Sequence, residues 1–176
     1  MKQNHHKNGQ TLERLVIGAV GGIVGTWSMT MAMKKAFDRL PSTERYPLPP
    51  REVTERITEP DGQKSTERSL AARTLAAHFA YGAATGAAFT GLGQHEKQPI
   101  LRGMAWGVTV WAASYLGLFP STRVLKPANQ HPARRNKLMI GAHLVWGGSL
   151  GLVAETLSES LTPFRKDEWA VLQDRV

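Results

Sequence analysis

Two histidines, His78 and His143, occupy matching places in two copies of one short pattern. The first copy reads Ala77-His78-Phe79-Ala80-Tyr81-Gly82, with Gly86 four residues on; the second reads Ala142-His143-Leu144-Val145-Trp146-Gly147, with Gly151 four residues on. His78, Gly82 and Gly86 step by four along one helical stripe, as do His143, Gly147 and Gly151. Paired imidazoles on two helices have three chemical uses. They can each hydrogen-bond a neighbouring helix and fix packing, they can line a proton or solute path, or they can ligate a haem or a metal. Glu155 lies four residues beyond Gly151 and extends the second stripe, so it joins the histidines as a candidate intramembrane polar site.

Other chemical signatures fail on context. Gly147-Gly148-Ser149-Leu150-Gly151 matches the spacing of a nucleophile elbow. That motif needs a strand-turn-helix setting and a histidine after the serine, and none follows Ser149. There is no H-E-x-x-H, Walker A or dinucleotide-binding glycine motif. The absence of cysteine excludes disulfides and thiolate metal sites. His5-His6 reads as part of a solvated tail. The expectation is a protein that is not an enzyme, with no catalytic residue, no metal and no cofactor.

The elements that carry the histidines are the plainest feature of the chain. The mean hydropathy of −0.28 suggests a soluble protein, but the charges are gathered into tails and loops. Residues 15–33, 74–95, 103–122 and 138–154 contain no Asp, Glu, Lys or Arg. A hydrocarbon core of about 30 Å takes about 20 helical residues, within a range of about 17 to 25. A soluble helical bundle would show amphipathic helices with a charged face, and these windows have none. The expected fold is all-α, a four-helix transmembrane bundle forming a single domain over 1–176. Its helices are expected at about 15–36, 70–91, 100–119 and 138–157, with a polar, proline-rich loop at 38–69. Because the two histidine copies lie on even-numbered helices, the chain reads as two helix pairs related as a 2+2 parallel repeat.

The helices are rich in small residues. Gly18/Gly22, Gly82/Gly86, Gly103/Gly107 and Gly147/Gly151 repeat the G-x-x-x-G spacing and are the expected helix-packing positions. Ala32-Met33-Lys34 is a poor cleavage site, so the first apolar run is expected to be retained as a helix. In the 38–69 loop, Pro50–Glu59 reads as a short helix opened by proline, with i,i+4 pairs Arg51/Glu55 and Glu52/Arg56 and a thin apolar edge of Val53 and Ile57. It is expected to lie on the membrane surface or to dock a partner. Pro120 is expected to end the third helix. Arg73 and Trp169 are expected at the membrane interface, and snorkelling to it is the first reading of Glu155 too, beside its place in the candidate polar site.

The net charge of +8 hints at nucleic acid in a soluble protein, but in a membrane protein loop lysines and arginines more simply set topology. Residues 34–70 hold eight basic residues, Lys64 among them, and residues 120–137 hold five, Arg123 among them. Both loops are therefore expected in the cytoplasm, with the termini outside. Expected partners are membrane lipids and a second copy of the chain as a homo-oligomer, with no nucleic acid.

At His143-Leu144-Val145-Trp146-Gly147 the chain resembles the YagU-like group of bacterial inner-membrane proteins. The glycine-rich first helix and Leu48-Pro49-Pro50-Arg51 share in the resemblance. It implies a multi-pass protein of the cell inner (plasma) membrane and supplies no reaction, cofactor or catalytic residue. The expected function is a non-enzymatic structural or stress-related membrane component. The alternatives are a small transporter or channel using His78, His143 and Glu155, and a haem-binding electron carrier.

Overall fold

The computed structural model describes residues 2–59, 65–93, 97–122 and 124–173, the backbone alone for 2–8 and 162–173. Pro60, Lys64, Arg123 and the side chains of His5, His6 and Trp169 lie outside the described residues. Everything described is helix, turn or loop, with no strand among the described residues. The elements are α1 (Lys2–Phe37), α2 (Pro49–Thr58), α3 (Glu67–Gly91), α4 (Pro99–Ala112), a π-helical turn (Ala113–Leu118), α5 (Phe119–Ser121) and α6 (Ala133–Gln173).

The boundaries differ from the sequence reading at both ends of the chain. Residues 2–14 hold no proline, so α1 begins at Lys2 rather than near residue 15. Helix α6 begins at Ala133 and runs to Gln173 rather than ending near 157. Pro49 and Pro50 open α2, where the missing amide hydrogens cost nothing. Pro99 does the same for α4, after Gly93 has turned the chain at φ 114°.

Helix runs through Pro120 and ends at Ser121, one residue past the expected stop. Pro120 has no N–H and its ring crowds the carbonyl four residues back, that of Leu116. The chain answers by widening: Phe119 N–H bonds the Ser114 carbonyl five residues back, and helix resumes over Phe119–Ser121.

Glycine spacing sets the packing. Helix α1 lies between α3 and α6, and α6 in turn carries α4. A Cβ on Gly22 would meet the backbone of Gly82 and Ala83, and one on Gly18 would meet the backbone of Gly86. A second glycine stripe on α1 faces α6, with Gly21 against Leu150 and Gly25 against Trp146. The α4–α6 contact repeats the device with Gly103 against Gly147, Gly107 against His143 and Gly151 against Pro99. Thr26 and Leu150, with no exposed surface, mark the middle of the core.

The two pairs are offset by one turn. Gly18 faces Gly86 and Gly22 faces Gly82, whereas Gly103 faces Gly147 and Gly107 faces His143. Matching the leading glycines thus sets His143 opposite Gly82, four residues from His78. A four-residue period lets a helix slip by a turn and still present small residues.

The outward surface of the long helices is apolar. On α1, Val16, Val20, Ile23, Val24, Trp27 and Met31 are exposed, Trp27 at 61%. Leu75 on α3, Leu101 on α4 and Val145 and Leu152 on α6 are exposed too. Two stretches, Gly9–Phe37 and Ala133–Leu161, are long and apolar enough to cross a membrane.

Candidate functional site

Glycine contacts bring three helix pairs together, but α3 and α4 meet only sparsely. At one end they are joined by aromatics: Trp106 Nε1–H donates to the Thr85 carbonyl at 3.1 Å, and Phe89 lies 6.2 Å from the Trp106 ring. Towards the other end they diverge around a cavity of about 270 Å³. Thr26 and Met29 of α1, with Met139, His143 and Trp146 of α6, form its floor. His78, Tyr81 and Gly82 of α3 stand on one side, and Val110, Ser114 and Tyr115 on the other. Ala77, Tyr81 and Leu118, all exposed, mark a mouth that opens outward between α3 and α4.

Both sequence-singled histidines line this cavity. Of the three uses open to the pair, a hydrogen bond to a neighbouring helix is not the one His143 makes. His143, 8% exposed, donates Nδ1–H to the Met139 carbonyl of its own helix at 2.8 Å. A carbonyl can only accept, so the proton is on Nδ1, and Nε2 keeps a lone pair with no partner among the described residues. Tyr115 stands edge-on to His143 with centroids 6.3 Å apart. His78, half-buried, lies 6.4 Å from the Phe79 ring.

The matching aromatics of the repeat do different work. Trp146 is buried against α1, and its Nε1–H points at the Gly22 carbonyl and Thr26 Oγ1, 3.2 Å from each. Tyr81 instead bridges the cleft, its hydroxyl 2.9 Å from Ser114 Oγ. The reason is position: α6 is flanked by α1 and α4, whereas α3 has a packed neighbour mainly in α1.

Glu155 is not part of the site. It lies twelve residues beyond His143 on α6, about 18 Å along a helix rising about 1.5 Å per residue, and it does not line the cavity. Among the described residues, no carboxylate, lysine or arginine does. Among the described residues, no group of three His, Asp or Glu stands together as a metal site would need. Ser149 sits mid-helix in α6. Arg73 donates to Ser65 Oγ at 3.2 Å, on the exposed surface.

Sequence reasoning missed the roof. Helix α2 covers the cavity with Pro49, Pro50, Val53 and Thr54, while Ile57 stays exposed. One fastening is Arg51, which forks onto both carboxylate oxygens of Glu67, with Nη2–Oε2 at 2.7 Å, rather than pairing with Glu55. That bond holds the Glu67 carboxyl below its ordinary pKa and raises the Arg51 guanidinium. The i,i+4 pair Glu52–Arg56 does form, at 3.1 Å.

The second fastening is Arg135, 4% exposed at the start of α6. It donates to the carbonyls of Glu44, Tyr46 and Pro47 at 2.9 to 3.0 Å. Its guanidinium also lies 3.5 Å over the Tyr46 ring, and Tyr46 Oη is 3.0 Å from His131 Nδ1. Segments 38–59 and 124–135 thus sit at the same end of the molecule.

No protein-family model matches the chain, and neither a curated protein nor a solved structure matches it.

Proposed function

We propose that the chain is a multi-pass protein of the cell inner (plasma) membrane, in which all four long helices cross the bilayer as two pairs. It serves there as a non-enzymatic membrane component. The observation that carries this is the division of α1 into faces. Glycines and Thr26 point to its neighbours, while valine, isoleucine, methionine and tryptophan point outward. In water the outward face would be charged. In lipid, close approach through small residues is the ordinary basis of helix association. Helix α3 has 25 residues, about 37 Å of helix, and Pro99–Ser121 is continuous, so both have the reach of a span despite weaker hydropathy.

The chain contains no cysteine, so single introduced thiols report topology cleanly. Lys97→Cys and Lys126→Cys should react with an impermeant thiol reagent from opposite faces of sealed vesicles, Lys126→Cys from the cytoplasmic face. The protein should also resist carbonate extraction and require detergent. Recovery as a soluble monomer would reject the membrane reading, and labelling of both thiols from one face would reject four crossings.

A further inference from the structure

We propose that the cavity between α3 and α4 binds a neutral, lipid-soluble alcohol, whose hydroxyl donates to Nε2 of His143 and whose apolar body fills the space towards the mouth. Three observations carry it. Among the described residues the wall contains no charged side chain, so a charged head would enter uncompensated. The Met139 carbonyl takes the proton of His143 at Nδ1, which leaves a hydrogen-bond acceptor in a side chain 8% exposed. The Tyr115 hydroxyl, in a side chain 6% exposed, likewise has no partner among the described residues and can donate to the alcohol oxygen. A hydroxyl satisfies both groups at once; an ether or ketone satisfies only the second. The mouth opens among exposed apolar side chains, so the ligand enters from the bilayer. That route rests on the membrane reading above.

The test uses the purified full chain in detergent micelles, titrated with 1-dodecanol and with its methyl ether, binding being followed by native mass spectrometry and calorimetry. Dioleoylglycerol, a bilayer lipid with a free hydroxyl, forms a second arm beside the free alcohol. The alcohol should bind about ten-fold tighter than the ether, the size expected when a buried acceptor is left unsatisfied. His143→Leu should abolish that preference while apolar binding remains. Ala77→Trp, at the exposed mouth, should remove binding of both probes even where His143→Leu fails to fold. Stronger binding of dioleoylglycerol would assign the site to a membrane lipid, and stronger binding of dodecanol to a free alcohol. Equal affinity for alcohol and ether in the wild-type protein, or binding untouched by Ala77→Trp, would overturn the proposal. Either result in a protein that still requires detergent would leave the membrane reading standing.

Discussion

Gly147 and Gly141 lie on the same helix, six residues apart, and the same substitution should act oppositely at the two. A Cβ at position 147 would lie 2.6 Å from the Gly103 carbonyl carbon and 3.1 Å from Met104 Cα, where ordinary contact begins at 3.4 Å. These atoms and the still nearer Gly103 carbonyl oxygen are all backbone, so no side chain can swing aside and α4 must move from α6 by about an ångström or more. Overpacking of this kind costs about 1–3 kcal/mol. The gain in helix propensity from Gly to Ala is at most about 1 kcal/mol. Gly147→Ala should therefore lose about 1–2 kcal/mol net. Nothing lies within 4 Å of a Cβ at position 141, so Gly141→Ala keeps only the gain and should be neutral or slightly stabilising. Unfolding in dodecyl maltoside by added dodecyl sulfate, read by tryptophan fluorescence, measures both. Equal midpoints for the two variants would refute the claim that glycine contact holds α4 to α6. Gly147→Leu and Gly82→Leu should go further and separate the helices.

Arg135→Ala should cost roughly 3 kcal/mol, since three carbonyls lose their donor at about 1 kcal/mol or more each, and Arg135→Lys should cost less; protease cleavage within 38–48 reads the released segment. The Arg51–Glu67 fastening depends on pH with a definite sign. Because the folded Glu67 carboxyl titrates below its ordinary value of 4.5, its contribution is present above that pH and fades as pH falls through the folded pKa. The protection of α2 amides against exchange, relative to the intrinsic rate at each pH, should fall below about pH 4.5 in wild type, and Glu67→Gln should remove that dependence. His78→Gln and His143→Gln should each cost less than the about 0.6 kcal/mol of a lost interhelical hydrogen bond, because neither imidazole bridges two helices among the described residues; a loss approaching about 2 kcal/mol in the same detergent assay would show that they do.

Charge-free windows locate the long helices because a helix between apolar neighbours cannot carry charge. The partners are a different matter. Gly18/Gly22 and Gly21/Gly25 differ by three residues, which places the two stripes about 60° apart around α1. That spacing reads as one broad glycine face, and only the fold divides it between α3 and α6. The His-x-x-aromatic-Gly copies look equivalent, but Trp146 sits between helices and Tyr81 at a mouth, since burial depends on the number of neighbours. Pro120 reads as a stop, and its actual effect is a π turn that places Ser114 and Tyr115 on the cavity wall. Arg135 is indistinguishable in sequence from the other basic residues of its loop. Its role depends on three carbonyls some ninety residues earlier, a relation that no local pattern encodes.

The cavity follows from how the small residues are distributed. Where glycine meets glycine or a neighbour's backbone, as at Gly22/Gly82 and Gly103/Gly147, helices approach until their backbones touch. The facing sides of α3 and of α4 with its π-helical turn instead carry His78, Tyr81, Phe89, Trp106 and Tyr115. Rings of that size keep two backbones apart. With α1 and α6 already committed to each other through Gly21, Gly25, Trp146 and Leu150, neither can move in to fill the gap. The aromatics close the far end by meeting across it, as Trp106 does at Thr85, and α2 closes the near end from above. What is left is a side opening of fixed position, lined by neutral polar groups, among which the Met139 carbonyl fixes the proton of His143 on Nδ1.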